Sequence, residues 1–109
     1  MAYDEALAAR IRWALRGRRK IEEKKMFGGL CFLLKGNMLA GVWKDCLIAR
    51  LGPQRGRAAL DEPHVKPMDV TGKPMKGWVM IDPEGVKYVG QVDAWLKQAL
   101  QFVAKLPAK

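Results

Sequence analysis

Apolar positions recur with a helical period from residue 3 to about 16. At about 100° of turn per residue, Tyr3, Leu7, Ile11, Ala14 and Leu15 share one stripe. Asp4 and Glu5 in the first turn and arginines in the last suit the helix dipole, and Gly17 is a natural stop. From Ile21 the period changes to two. "IEEKKMF", "GGLCFLL", "MLAGVW" and "CLIARL" form an antiparallel meander of three or four strands, with hairpin signals at Gly36-Asn37 and, less strongly, Lys44-Asp45. In "GGLCFLLK" neither face is polar: Leu30, Phe32 and Leu34 point one way, Cys31 and Leu33 the other. Such a strand is expected to be central and covered on both sides, by helices or by a second subunit.

Gly52-Pro53 opens a short helix through about Leu60, with proline at its first position. The proline-rich stretch "DEPHVKPMDVTGKPMKG" has no sustained period and holds at most one short edge strand near Val65–Val70. "WVMID" is a strand stopped by Pro83. A last helix runs from Val89 or Gln91 to about Lys105, with Val92, Trp95, Leu96, Ala99, Val103 and Leu106 on one face. The order α-β-β-β-α-β-β-α predicts a single α+β domain over residues 1–109, a two-layer arrangement with helices packed on an antiparallel sheet.

Composition narrows the class. Half of the 109 residues are hydrophobic and 28% charged, the balance of a globular domain. No apolar run approaches the length of a membrane span, and no signal-like segment opens the chain, so a cytoplasmic protein is expected. The net charge of +9 is unevenly placed. Residues 1–25 hold eight bases and four acids, residues 26–60 five and one, residues 61–109 seven and six. The excess is densest in "RIRWALRGRRK", where Arg10, Arg12, Arg16, Arg18, Arg19 and Lys20 occur without one acid.

Little in the chain suggests catalysis. Cys31 and Cys46 are isolated, with no CxxC, and His64 has no ligand at metal-binding spacing. Both thiols read as small buried hydrophobes. The loop carboxylates Asp61, Glu62, Asp69, Asp82 and Glu84 form no spaced acid–base pair. The glycines of "KMFGGL" precede a strand rather than a helix and lack a following Gly-Lys-Ser/Thr, so they make no phosphate loop. Gly72-Lys73 runs into Pro74, which has no N–H to offer. Gly28 and Gly29 are instead expected to bend a strand or admit a close neighbour, with Phe27 anchored in the core. Trp43, Trp78 and Trp95 also occupy core-compatible positions.

Trp13 is the exception, lying roughly 150° from the apolar stripe among arginines. Three readings fit it. It is a solvated face with the ring lying over arginine stems, a contact for a protein partner or a second copy, or a stacking site for DNA or RNA. Lys73 and Lys76 in "VTGKPMKGW" mark a further candidate binding loop, or a plain surface crossover.

Two motifs, Met26-Phe27-Gly28-Gly29 and Gly72-Lys73-Pro74-Met75-Lys76-Gly77, together with "RLGP" and the ending "WLKQALQFVAKLP", resemble the TfoX N-terminal domain family over nearly the whole chain. That resemblance implies an α+β fold similar to type III secretion chaperones. It implies relation to the TfoX/Sxy regulator of bacterial competence genes, which acts with the cyclic-AMP receptor protein. It supplies no catalytic residue, cofactor or metal. Those regulators carry a C-terminal domain for which 109 residues leave no room, so a free-standing version is expected. The expectation is a non-enzymatic regulatory module that binds a protein or its own copy, the alternative being nucleic-acid binding through Arg10–Lys20.

Overall fold

The computed structural model describes residues 3–26, 28–68 and 75–108. The expected meander has four strands: β1 (Ile21–Met26), β2 (Gly29–Leu34), β3 (Asn37–Trp43) and β4 (Cys46–Arg50), each antiparallel to the next. Met26 pairs with Gly29, so the glycine pair does not lie inside one strand. Gly28, at φ +77°, belongs to the β1–β2 turn, and Gly29 begins β2. Leu34 pairs with Asn37, which puts the next turn at Lys35-Gly36, one residue before the Gly36-Asn37 expectation. Both turn residues have positive φ, 53° and 83°, as a type I′ turn requires. The third turn is Lys44-Asp45, as its sequence suggests.

Strand β6 (Trp78–Ile81) pairs with β4, and the short β5 (Val65–Pro67) pairs with β6. The sheet order is therefore β1-β2-β3-β4-β6-β5. The predicted edge strand is present but ends at Pro67, and Val70 lies outside the described residues. Helices α1 (Glu5–Ala14) and α3 (Val89–Val103) pack on one face of this sheet and on each other, while α2 (Pro53–Ala59) lies against β6. The α+β architecture is the expected one.

The core follows from the alternation. Leu30, Phe32, Leu34, Val42, Leu47, Ala49, Val79 and Ile81 meet Leu7, Ile11, Val92, Leu96 and Val103 of the helices. Leu39 and Ala40 are both fully buried although adjacent, because the register slips between Phe32 and Leu33 and leaves Leu39 as the extra residue of a bulge. The opposite face carries a smaller cluster of Cys46, Ile48, Met68 and Met80, flanked by Trp43, Met75 and Trp78. Every residue of β2 is buried, as its two apolar faces require. Trp95 is in the main core, whereas Trp43 and Trp78 are half-buried beside the second cluster. The core role expected of Phe27 lies outside the described residues.

Close packing explains one glycine of the pair. A Cβ at Gly29 would overlap the Val42 carbonyl oxygen of β3, and one at Gly41 would lie 2.8 Å from the Leu30 carbonyl oxygen. Gly29→Ala should therefore destabilise the fold by about 1–3 kcal/mol. Gly90→Ala, in α3 with open space around it, should be neutral or stabilise by up to about 1 kcal/mol. Urea denaturation of the two variants checks the opposite signs.

Candidate partner-binding surface

The basic segment is divided by where α1 ends. Asp4 caps the helix, its Oδ1 accepting from the Ala6 and Leu7 amides at 2.9 and 3.2 Å. The helix stops at Ala14 with Leu15 as C-cap, and Gly17 at φ +81° turns the chain away. Only Arg10 and Arg12 of the cluster are thus helical. Arg16, Arg18, Arg19 and Lys20 form a non-helical elbow that leads into β1, so the candidate segment Arg10–Lys20 is part helix and part elbow, and the helix ends two residues before the expected limit near residue 16.

The two helical arginines are engaged. Arg10 Nε donates to the Val86 carbonyl at 3.1 Å and ties α1 to the loop before α3. Arg12 makes a two-pronged pair with Glu23 of β1, at 3.0 and 2.9 Å. Those hydrogen bonds hold the Glu23 carboxyl below its ordinary range. Both arginines therefore fasten α1 in place.

The elbow is different. Trp13 is 55% exposed, and the Arg16 guanidinium lies 3.8 Å from its ring centroid while Nη1 donates to the Trp13 carbonyl at 2.8 Å. This is the arrangement with tryptophan against arginine. Arg18, Arg19 and Lys20 are exposed and make no ion pair among the described residues. The Lys35 amide donates to the Lys20 carbonyl at 3.1 Å, which joins the β2–β3 turn to the elbow. Arg16, Arg18, Arg19 and Lys35 surround an open concavity of about 490 Å³ whose lining includes Leu34 and Ala104 and no acid.

Lys35 was not among the expected residues. Its place follows from the pairing of Ile21 with Leu34, legible only once Gly28 is put in the turn between β1 and β2. Arg50 was missed too. It ends β4 at the same end of the sheet, with Trp78 and Phe102 rings 5.4 and 5.7 Å from its guanidinium. Nearby, Arg55 and Lys105 line a second open concavity of about 460 Å³, also without an acid. Lys76 is exposed in the turn before β6, several strands from the elbow, and Lys73 lies outside the described residues. Met26 is partly exposed at the end of β1.

The TfoX N-terminal domain model matches residues 14–103. The chain belongs to the TfoX N-terminal domain family. No curated protein and no solved structure matches it. Within the matched span lie the elbow, the whole sheet and all of α3. Of the two motifs that carry the resemblance, the described glycines have structural work. Gly29 admits β3, and the Gly77 carbonyl accepts from the Leu51 and Gly52 amides at 2.9 and 3.1 Å, pinning the start of α2 to the start of β6.

No group of three potential metal ligands occurs among the described residues. Cys31 and Cys46 lie on the sheet face away from α1 and α3, and burial pushes both thiols up, although Lys66 draws Cys46 back. A raised thiol is a poor nucleophile at neutral pH. Both should react with an aromatic disulfide reagent only slowly in the native protein and at once in denaturant, as read by absorbance.

The Arg12–Glu23 pair has a definite pH signature. Because the folded carboxyl titrates below its ordinary value of 4.5, its contribution is complete above that value and is lost as pH falls through the lowered one. Both side chains are partly exposed, so Glu23→Gln should cost less than about 1 kcal/mol at neutral pH. The difference between variant and parent should shrink as pH falls through the lowered value, which thermal melts at neutral and progressively acidic pH can check.

Proposed function

We propose that this TfoX N-terminal domain is a non-catalytic binding module, working in the cytoplasm in a regulatory setting, whose surface for an acidic protein partner is the elbow Arg16–Lys20 with Lys35. The observation that carries this reading is the concavity ringed by Arg16, Arg18, Arg19 and Lys35 without an acid, beside a tryptophan left 55% exposed. Trp and Arg are the residue types that dominate binding energy at protein interfaces, and here they are already stacked, so little side-chain freedom remains to be lost on docking. Membership of the TfoX N-terminal domain family supports a regulatory role, in the manner of a competence regulator.

Nucleic acid is the second reading, favoured by the same exposed cations. Trp13 weighs against it as a base-stacking platform, because one face of its ring is already covered by Arg16.

The test is affinity capture from lysate with and without nuclease treatment, comparing the parent with an Arg18→Glu, Arg19→Glu variant. A defined protein retained by the parent, acidic at its contact surface and at least about tenfold weaker on the variant, is the expected result. Retention that disappears with nuclease, and a DNA or RNA affinity falling steeply with salt, would instead favour the second reading. Equal capture by both proteins would contradict the elbow as the working surface.

A further inference from the structure

The two edges of the sheet are built differently. At one, β5 has three residues and ends in Pro67, which offers no backbone donor. At the other, β1 has six residues, with no proline, no glycine and an unbroken ladder to β2, and five of the six are exposed. Its outward backbone groups meet no other strand among the described residues. Charged side chains on an edge usually discourage pairing with foreign strands. The order of charges in Ile21-Glu22-Glu23-Lys24-Lys25-Met26 also makes the strand complementary to itself when antiparallel.

Register decides which complement forms. Glu22 pairs with Leu33 and Lys24 with Cys31, so these two side chains share the sheet face away from α1 and α3. Glu23 and Lys25 share the helix face. A second copy continuing the sheet is related by a two-fold axis normal to it, and opposed side chains must then lie on the same face. With the axis at Glu23, Glu22 of each copy stands directly opposite Lys24 of the other, and Ile21 opposite Lys25. The two Glu23 carboxylates meet on the axis, but each is already held by its own Arg12 at 2.9–3.0 Å. With the axis at Lys24, two ammonium groups would meet with no counter-ion from β1 opposite them, so the Glu23 register is favoured.

We infer that the chain forms a homodimer by antiparallel pairing of β1 with β1 about Glu23, joining two six-stranded sheets into one. The interface is a backbone ladder flanked by two Glu22–Lys24 pairs, with Arg12–Glu23 closing the axis. It sets the two Lys20 residues about 20 Å apart along the strand direction, counting six residues at about 3.3 Å each. Each protomer's elbow stays outside the ladder, so the dimer would present two binding surfaces. The pairing does not depend on what the elbow binds.

Sedimentation equilibrium between about 10 μM and about 1 mM tests this with five proteins, their folds checked by circular dichroism. The parent should show a reversible monomer–dimer equilibrium. Glu22→Lys and Lys24→Glu should each weaken it about tenfold, since each turns two attractive cross-strand pairs repulsive. The double variant Glu22→Lys, Lys24→Glu exchanges the charges and should restore the parent's association. A parent that is monomeric throughout, a dimer indifferent to the single changes, or a double variant that stays weak would each overturn the inference. An Arg18→Glu, Arg19→Glu protein that still dimerises but captures no partner would show the two surfaces to be separate.

Discussion

Burial of both faces of β2 is the constraint from which the rest of the structure follows. A strand running Gly-Leu-Cys-Phe-Leu-Leu has no side for water, so each side must be roofed. Two helices take the Phe32 side, and their apolar stripes are long enough to cover Leu30 to Leu34. The other side is lined by small and sulfur-bearing side chains, Cys31, Cys46, Met68 and Met80, with the half-buried Trp43 and Trp78 as flanks. Gly29 and Gly41 contribute by omission, since neither position has space for a Cβ and the β2 and β3 backbones approach closely there. Interiors packed at crystal-like density tolerate little enlargement at such points.

With β2 buried on both sides, the charged surface lies at the ends and edges of the sheet. The chain leaves α1 at one end through Gly17, and there Arg16, Arg18, Arg19 and Lys20 gather with Lys35 from the next hairpin. Charge at this end is retained because it is not neutralised locally: the acids nearest in sequence, Glu22 and Glu23, lie along β1, and Glu23 is committed to Arg12. That pair also fastens α1 to the strand that follows the elbow. The segment between them is held at both ends, so a binding surface on it would be ordered before any partner arrives.

Periodicity made most of the fold legible. The change from a period near 3.6 to a period of two at Ile21 locates the boundary between α1 and the sheet, and the double apolarity of β2 implies its central burial. The turns were less legible for a local reason. Lys20, Lys35, Lys44 and His64 all adopt positive φ, a conformation that turn rules assign to glycine and asparagine. Taking Gly36-Asn37 as the loop therefore shifted one turn by a residue, and placing Gly28 and Gly29 within one strand hid the β1–β2 turn. The same oversight concealed Lys35 as a neighbour of the elbow. Arg10 and Arg12 looked free in the sequence because their partners, Val86 and Glu23, belong to elements 76 and 11 residues away.

Amide hydrogen exchange on the native protein tests the organising role of β2 most directly. The account predicts that the amides of Leu30 to Leu34 exchange only through global unfolding, with protection matching the stability from denaturant titration. Amides of the elbow should exchange orders of magnitude faster. Exchange in β2 as rapid as in the elbow would contradict a sheet organised around a doubly buried strand.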